Sequence, residues 1–494
     1  MPISESLLNR LNDPSLVADA GYFSGVWHES APNGATFEVC DPSTGAWVAT
    51  LPDFDAAAVT AAIDKAALVQ KEWAARTAKE RFSVMRRYHD LVHEYADDLA
   101  TILTAEMGKP HFDAKREVLY GASYIEWFAE EAKRVYGETI PSMAEDRRMM
   151  VLRQPVGVVG AITPWNFPSA MLARKLAPAL SVGCAMVAKP AEQTPLSSIA
   201  LAVLAERAGL PAGLLSVVPG TDASAMGLAM TQHDKLRKIS FTGSTKVGRI
   251  LMRQAADKIL RLSLELGGNA PFIVFDDADI DDAVAGAMAS KFRNNGQTCV
   301  CANRIYVQSG IYDAFAERMA DAAKALCLGN GFDQNSTTGP LIDERALAKV
   351  EDHVADAIAK GALALTGAKR SSVGALFYEP TVLKDVTSDM KVARQETFGP
   401  VAPLFKFETE SEVLAAANAT ESGLSSYFFT KDSARIWRMA EALEYGIVGI
   451  NTGLTTSEAA PFGGIKQSGM GREGSRHGLD DYLEMKYLCI GGLG

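Results

Sequence analysis

The sequence has few cysteines, and they are widely scattered. Its 494 residues include only six, at Cys40, Cys184, Cys299, Cys301, Cys327 and Cys489. A disulfide framework is therefore excluded, and we expect a reducing compartment, the cytoplasm. Cys299 and Cys301 have no second cysteine or histidine pair nearby, so no metal site is predicted.

The sequence also lacks long uncharged stretches and has no excess of basic over acidic residues. The longest conspicuous uncharged run, residues 176–188, contains Pro178 and Gly183 and is shorter than the roughly 20 residues that cross a bilayer. The first residues have neither a basic region nor an apolar core, so we expect no secretory signal. A net charge of −11 argues against a nucleic-acid or anionic-membrane partner. Binding of an anionic substrate would therefore require local arginines.

Strand and helix patterns alternate along much of the chain. After an irregular first segment with short strands, residues 54–107 and 117–136 have helical patterns, and the aromatics Tyr120, Tyr124, Trp127 and Phe128 are predicted to lie in the core. Strands are predicted at 147–153, 156–163, 184–189, 214–218, 238–242 and 262–265, and helices at 169–181, 196–208, 223–232 and 246–259. This alternation is typical of an α/β fold with a doubly wound parallel sheet.

A second run of the same kind begins at Ala270. It has a strand at 304–308 and a helix at 311–326, which indicates a second α/β domain. The tail, residues 482–488, alternates like a strand and needs a partner, for which the 147–153 strand is a candidate.

Between these parts lies the most informative loop of the chain. A helical pattern at 282–291 stops at Asn294-Asn295-Gly296, residue types that tolerate a left-handed backbone. Cys299 follows on the resulting irregular loop. Rigidly supported loops often present nucleophiles, although an isolated cysteine is more often a buried apolar residue.

Three other turns follow predicted strands. The common Gly-x-Gly-x-x-Gly fingerprint is absent, but residues 241–248 form a Gly-rich strand-to-helix turn in which Gly243 and Ser244 precede a helix N-terminus suited to a pyrophosphate. Glu192 ends another strand, where an acidic residue can bind ribose hydroxyls. Asn166 is flanked by prolines, and Glu265 precedes two glycines, where a buried carboxylate would have a raised pKa.

Gly296-Gln297-Thr298-Cys299 and Glu265-Leu266-Gly267-Gly268-Asn269 together resemble the aldehyde dehydrogenase superfamily, and the resemblance runs from about Tyr22 to the C-terminus. It implies two doubly wound α/β domains and a small β extension. The implied boundaries are an NAD-binding domain at 1–135 and 154–266, an oligomerisation extension at 136–153 and 474–494, and a catalytic domain at 267–473. It also implies a homo-oligomer, a dimer or a tetramer.

The resemblance implies a role for individual residues. Cys299 would be the nucleophile, Glu265 the base, and Asn166 with the Cys299 N–H the donors to an oxyanion. The residues matching cofactor-binding positions are Thr163, Pro164, Trp165, Lys189, Glu192, Gly243, Ser244, Gly267, Glu396 and Phe398. Because Glu192 would repel a 2′-phosphate, the expected cofactor is NAD, with NADP left open.

The sequence is most similar to the succinate-semialdehyde dehydrogenase branch, which implies a small anionic aldehyde as substrate. Arg174 and Arg293 match carboxylate-binding positions, whereas Thr456 stands where the branch usually has serine. Glutarate semialdehyde and sulfolactaldehyde therefore remain alternatives. So does a cofactor-free thiol esterase or a structural protein on the same fold. Some members use a cysteine pair such as Cys299 and Cys301 as a redox switch. In an extended segment the two side chains would lie at the edge of disulfide reach, and an inert Cys301 is the alternative.

Overall fold

The computed structural model describes residues 2–493. Its first part consists of short strands followed by long helices. These are α1 (Glu5–Leu8), β1 (Gly21–Phe23), β2 (Val26–His28), β3 (Thr36–Cys40), β4 (Trp47–Pro52), α2 (Ala56–Ala75), α3 (Ala78–Glu94), α4 (Ala96–Met107) and α5 (His111–Glu131). Polar caps determine where the helices start: the Asp55 carboxylate accepts two backbone N–H groups of α2, and Thr77 and Glu80 form a capping box in α3. Left-handed Gly108 ends α4.

The middle part alternates strands with helices, as predicted. Its elements are β5 (Glu138–Ile140), β6 (Arg148–Pro155), β7 (Val158–Ile162), α6 (Pro168–Val182), β8 (Ala185–Lys189), α7 (Leu196–Arg207), β9 (Leu215–Val217), α8 (Ala223–Gln232), β10 (Leu236–Thr242), α9 (Thr245–Ala256) and β11 (Arg261–Glu265). Helix α9 ends before the predicted Ile259, whose φ of 51° cannot continue a right-handed helix.

The last part continues the alternation and ends in a long strand. Its elements are β12 (Ala270–Val274), α10 (Ile280–Lys291), β13 (Ala302–Gln308), α11 (Tyr312–Lys324), α12 (Glu344–Ala359), β14 (Leu363–Thr366), β15 (Thr381–Lys384), α13 (Lys391–Arg394), β16 (Val401–Phe407), α14 (Glu410–Asn418), β17 (Ser425–Phe429), α15 (Ser433–Ala442), β18 (Ile447–Ile450), β19 (Gly469–Met470) and β20 (Leu483–Ile490).

Two large sheets organise these elements. The eight-stranded sheet has the order β19-β11-β10-β7-β8-β9-β1-β2, and its five strands from β11 to β9 are parallel. The seven-stranded sheet has the order β14-β15-β16-β13-β12-β17-β18 and is parallel except for β14. The predicted fold class, two doubly wound α/β units, is confirmed. Ligands of such sheets bind at the carboxyl ends of the strands.

A small antiparallel sheet carries the predicted pairing of the tail. Strand β20 pairs with β6 along its whole length, Leu483 with Pro155 through Ile490 with Arg148, and β5 pairs with the other edge of β6. Strand β19 pairs with β11 of the eight-stranded sheet, although the sequence prediction placed residues 267–473 together in one domain. The chain therefore returns to the first sheet before it reaches the extension.

Apolar side chains fill both faces of the large sheets. Tyr88, Tyr124 and Phe128 are among the fully buried side chains of the first unit, and Phe272 and Tyr427 among those of the second. Within residues 2–493 no helix is long and apolar enough to cross a membrane.

Candidate active site

One large cavity, of about 950 Å³, lies where the carboxyl ends of strands from the two sheets meet. The first unit contributes the loop after β7, helix α6 and the ends of β10 and β11. The second contributes the loop after α10 and residues near Glu396. Cys299, Glu265 and Asn166, which lie far apart in the sequence, all line this cavity.

The loop that carries Cys299 is held rigidly. Asn294, Asn295 and Gly296 all have left-handed φ angles, of 51°, 57° and 73°, as the residue types predicted. The Asn295 amide donates to the Gly339 carbonyl at 2.9 Å, and the buried Gln297 side chain accepts from the Ile342 N–H at 3.0 Å. These bonds fix the backbone that presents the Cys299 thiol.

Asn166 is connected directly to this loop. Its Nδ2 donates to the Gln297 carbonyl at 2.9 Å, and its own carbonyl accepts from Asn294 Nδ2 at 3.0 Å. Lys109 Nζ donates to the same Asn166 carbonyl at 2.8 Å. The Asn166 amide is thus positioned beside the cysteine loop, where an amide N–H can stabilise an alkoxide.

Glu265 ends strand β11 and is 3% exposed. Its Oε2 has no hydrogen-bond partner within residues 2–493. Burial, with the nearby Glu473 carboxylate, raises the pKa of Glu265 well above its usual range, and Arg174 and Lys175 oppose that shift. The direction of this shift agrees with the sequence prediction, and a carboxylate of raised pKa is a stronger base toward water.

The Cys299 thiol lies in the same low-dielectric surroundings. Burial, with the nearby charges of Glu396 and Glu265, raises the pKa of Cys299 to about 12, whereas Arg174 and Arg293 act to lower it. Since the thiolate is the nucleophilic form, the two arginines favour the reactive state of the thiol.

Most of the predicted cofactor residues lie along the same cavity. Pro164, Trp165, Gly243, Ser244, Gly267, Glu396 and Phe398 line it. Ser244 caps α9 and lines the cavity, so the N-terminus of this helix lies at the groove. Glu396 Oε1 accepts from the Gly268 N–H at 3.1 Å, and burial raises the pKa of Glu396 to about 7. A helix N-terminus beside a carboxylate fits the pyrophosphate and ribose hydroxyls of a dinucleotide.

The other three predicted cofactor residues lie outside the lining of this cavity. Glu192 lines a neighbouring groove with Glu38 and Glu106, and Ile342 borders both spaces. Lys189 Nζ lies 3.3 Å from Glu192 Oε2. Thr163 is buried, and its N–H donates to the Lys189 carbonyl at 3.2 Å. The groove is acidic, which suits neutral hydroxyls better than a second phosphate.

The three predicted substrate residues, Arg174, Arg293 and Thr456, also line the main cavity. The Arg293 guanidinium lies 5.6 Å from the centroid of the Phe167 ring, and no ion pair joins Arg293 to the described part of the chain. Arg174 is 2% exposed and its Nη2 lies 2.7 Å from Glu473 Oε2. Nothing in the sequence near Arg174 indicates this carboxylate partner.

The segment from Cys299 to Cys301 is not extended, although the predicted disulfide reach assumed an extended segment. The segment is a turn, in which the Cys301 N–H donates to the Thr298 carbonyl at 3.2 Å, and is not extended. The Cys301 thiol donates to the Lys291 carbonyl at 3.2 Å, and Cys301 is absent from the cavity lining. Both cysteines are free thiols. A redox pairing stays a prediction, and it requires the turn to rearrange.

Several cavity residues were missed. Of the four aromatic residues predicted to lie in the core, Tyr124 and Phe128 are buried there. Tyr120 is half-buried and lines the cavity, and Trp127 is half-buried and packs against the core. Other charged lining residues that went unpredicted include Lys109, Asp113, Arg116 and Glu117 near or on α5, and Arg345 and Lys349 on α12. In the sequence they look like ordinary polar positions of amphipathic helices, so only the tertiary structure reveals them. No cluster of metal-binding side chains occurs among the residues that the structure describes.

Known proteins share this arrangement over nearly the whole chain. The sequence profile of the Aldehyde dehydrogenase family matches residues 27–488. A 3-sulfolactaldehyde dehydrogenase of Pseudomonas putida is 56% identical over 98% of this chain and 99% of its own. A glutarate-semialdehyde dehydrogenase of Pseudomonas aeruginosa is 55% identical over 98% and 100%.

The NADP(+) succinate-semialdehyde dehydrogenase of Escherichia coli is also 55% identical, over 98% of this chain and 100% of its own. Among solved structures, an NADP-dependent enzyme of Escherichia coli superposes with a TM-score of 0.96 at 56% identity, covering 97% of this chain and 100% of that one.

Proposed function

Because this chain belongs to the aldehyde dehydrogenase family and is an NAD(P)-dependent oxidoreductase, we propose that it oxidises succinate semialdehyde to succinate through a covalent intermediate on Cys299. One observation carries the proposal. A single cavity places a thiol, a carboxylate of raised pKa and two arginines around one space. These are the groups needed to attack an aldehyde, release an acid and bind a remote carboxylate.

The first step forms a carbon–sulfur bond. The Cys299 thiolate attacks the aldehyde carbon, and the carbonyl oxygen becomes an alkoxide. The Asn166 amide and the Cys299 backbone N–H donate to that oxygen, and both are held by the hydrogen bonds between Asn166 and the cysteine loop. Burial raises the pKa of Cys299, and Arg174 and Arg293 offset part of that rise in favour of the thiolate.

The second step releases the acid. A nicotinamide dinucleotide, when bound, would supply the hydride acceptor for oxidation of the Cys299 adduct. Glu265 then takes a proton from water, the resulting hydroxide attacks the thioester carbon, and the Cys299 thiolate leaves. Ser244 at the start of α9 would hold the pyrophosphate, and Glu192 and Glu396 would hold ribose hydroxyls.

Arg174 and Arg293 make an anionic aldehyde the expected substrate class. The chain carries a net charge of −11, so an anion is favoured only where local cations outweigh that background. The relatives named for glutarate semialdehyde and 3-sulfolactaldehyde make these two aldehydes the competing substrates. The methyl group of Thr456, which lines the cavity, narrows the space left for a longer chain.

We expect NAD to be preferred over NADP. Glu192 and Glu38 line the groove beside the cofactor site, and their carboxylates would repel a 2′-phosphate. Burial raises the pKa of the neighbouring Glu106 to about 8, so it adds little charge at neutral pH. The Escherichia coli relative is named for NADP(+), so this preference is a specific claim about the present chain.

We also propose that the protein is a homo-oligomer, a dimer or a tetramer, whose interface includes the sheet of β5, β6 and β20. The proposed location is the cytoplasm. Strand β20 has an unpaired edge, and Met485 and Tyr487 on it are 72% and 52% exposed. Exposed apolar groups on an open edge strand favour association.

A substrate panel tests the function. NADH formation, followed by absorbance, gives kcat/KM for succinate semialdehyde, glutarate semialdehyde, 3-sulfolactaldehyde and uncharged butanal. We expect succinate semialdehyde to give the highest value and butanal the lowest. A higher value for butanal would reject the anionic-substrate proposal, and a higher value for another anion would transfer the function to that anion.

A further inference from the structure

Arg174 is held in a buried cluster of charges that the proposed reaction does not use directly. Glu473 Oε2 lies 2.7 Å from Arg174 Nη2, and Glu473 Oε1 accepts from Lys175 Nζ at 2.6 Å. Arg174, Lys175 and Glu473 are all at most 4% exposed. Each oxygen of the Glu473 carboxylate therefore contacts one cation. Lys175 Nζ also donates to Thr242 Oγ1 at 2.7 Å.

The Arg174 guanidinium has few hydrogen-bond partners. Its Nε and Nη2 have none among residues 2–493, so the contact of Nη2 with Glu473 Oε2 is an ion pair, and its Nη1 has only the Met171 sulfur at 3.9 Å. The Arg174 Cζ atom lies over the Phe462 ring, 4.0 Å from the ring centroid. A buried N–H without a partner is costly, and here it belongs to a residue that lines the active-site cavity.

The charges of the cluster leave room for one anion. Burial opposes ionisation of Glu473, but Lys175 and Arg174 outweigh it and lower the pKa of that carboxyl. Two cations and one carboxylate therefore leave one positive charge in a buried site. Glu265, the other carboxyl nearby, forms no ion pair with Arg174 in the described part of the chain, and its Oε2 has no hydrogen-bond partner there.

We propose that Glu473 is a positioning residue for substrate specificity: it holds the Arg174 guanidinium by Nη2 so that the remaining N–H groups receive the carboxylate of the aldehyde substrate. This inference rests on the proposed function, because it needs an anionic substrate bound by Arg174. Arginine N–H groups fixed in advance bind a carboxylate without the entropy cost of ordering a long side chain.

The alternative is that Glu473 only stabilises the fold by neutralising two buried cations. Removal of a buried ion-pair partner is strongly destabilising in either case, so a simple loss of activity is uninformative. The two explanations differ in selectivity. A positioning residue affects KM for the charged substrate, whereas a structural one affects charged and uncharged substrates alike.

The test compares KM and kcat for succinate semialdehyde and butanal in wild type, Arg174→Ala, Glu473→Asp and the double variant. Aspartate keeps the charge but is one methylene shorter, so it cannot reach both cations. We expect Glu473→Asp to raise KM for succinate semialdehyde by at least about threefold, the loss of roughly one hydrogen bond, with little change for butanal. Because Glu473 also neighbours Glu265, kcat can fall for both substrates together.

The double variant provides the sharper criterion. If Glu473 acts through Arg174, Arg174→Ala combined with Glu473→Asp should have the same KM for succinate semialdehyde as Arg174→Ala alone. Asp98→Asn is the matched control, since Asp98 is a buried carboxylate, 2% exposed, that accepts from the Asn12 and Asp13 N–H groups away from the cavity. Any effect of this control should be the same for the two aldehydes.

The outcomes separate the inference from the function. Selective loss of succinate semialdehyde in Arg174→Ala, without selective loss in Glu473→Asp, would overturn the role of Glu473 alone. Additive effects in the double variant would do the same. Equal loss of both aldehydes in Arg174→Ala would overturn the carboxylate site and the inference with it. If Glu473→Asp is unstable, Arg174→Lys applies the same criterion, because a lysine ammonium bound to Glu473 lacks the second N–H edge.

Discussion

At the level of single residues, the site depends on charged groups that line one cavity. Arg293 and Arg174 supply positive charge near the Cys299 thiol, and Glu265 lies in the same space with a raised pKa. Arg293 is the freer of the two arginines, because Arg174 is bound to Glu473. The role proposed for each group leads to a different kinetic consequence.

Replacing Arg293 should weaken binding of an anionic aldehyde selectively. A charge-assisted hydrogen bond to a carboxylate contributes about 1.5–3 kcal/mol. The carboxylate is remote from the reacting carbon, so Arg293→Ala should raise KM for succinate semialdehyde by at least about tenfold, with a smaller fall in kcat. Steady-state kinetics with butanal is the control. Equal losses for both aldehydes would mean that Arg293 supports the loop instead.

Glu265 should set the acid limb of the kcat profile. A base must be ionised to accept a proton from water, and the pKa of Glu265 is raised, so kcat should fall as pH drops through that raised value. The limb should therefore lie above the ordinary glutamate range of about 4.3. It is measured as kcat against pH with saturating succinate semialdehyde. A profile that stays flat down to the ordinary range would remove Glu265 from the role of base.

At the scale of elements, the strand ends and helix starts provide the cofactor groove. The turn between β10 and α9 and the end of β8 bring Ser244 and Glu192 to the same edge of the eight-stranded sheet. Helix α12 of the other unit adds Arg345 and Lys349. The preference for NAD or NADP therefore depends on the side chains that these strand ends and helices place around the groove.

Removing the charge of Glu192 should shift that choice. Glu192→Ser keeps a hydrogen-bonding group but removes repulsion of a 2′-phosphate, so the ratio of kcat/KM for NADP to that for NAD should rise. Glu206→Ser, which changes a carboxylate on α7 that accepts from the Trp27 indole N–H, is the control. A wild type that already prefers NADP would contradict the assignment of Glu192.

Local residue types predicted the elements better than the contacts between them. Asn294, Asn295 and Gly296 correctly predicted a left-handed backbone at the end of the helix. The alternation of strand and helix patterns correctly predicted the parallel sheets. Both features depend on the backbone preferences of residues that are neighbours in the sequence. The pair formed by Lys175 and Glu473 joins residues 298 positions apart. No local sequence pattern predicts such a pair. Local patterns also do not predict that Tyr120 lines the cavity or that Cys301 lies outside it.

At the scale of the whole molecule, the sheet formed by β5, β6 and β20 is the part that the active site does not use. Its side chains on one face of β20, Met485 and Tyr487, are exposed. On the opposite face Glu484 forms an ion pair with Arg261 at 2.6 Å. The exposed apolar side chains of the first face are the basis of the association proposed above.

A charge on that face should disrupt the oligomer. Met485→Asp introduces a carboxylate that would be desolvated in an interface, so light scattering should report a smaller particle, with the circular dichroism spectrum unchanged. Lys486→Asp, on the other face of the same strand, is the matched control and should leave the particle size unchanged. Loss of assembly in the control but not in Met485→Asp would place the interface elsewhere.

The central claim is that Cys299 carries the acyl group of a short anionic aldehyde. Intact and peptide mass spectrometry of Glu265→Gln after one turnover with succinate semialdehyde and NAD tests it most directly, because the thioester should then persist. We predict one succinyl group per chain, on the peptide that contains Cys299, together with one equivalent of NADH. An unmodified Cys299 accompanied by steady NADH formation, or an acyl group on another residue, would contradict the account.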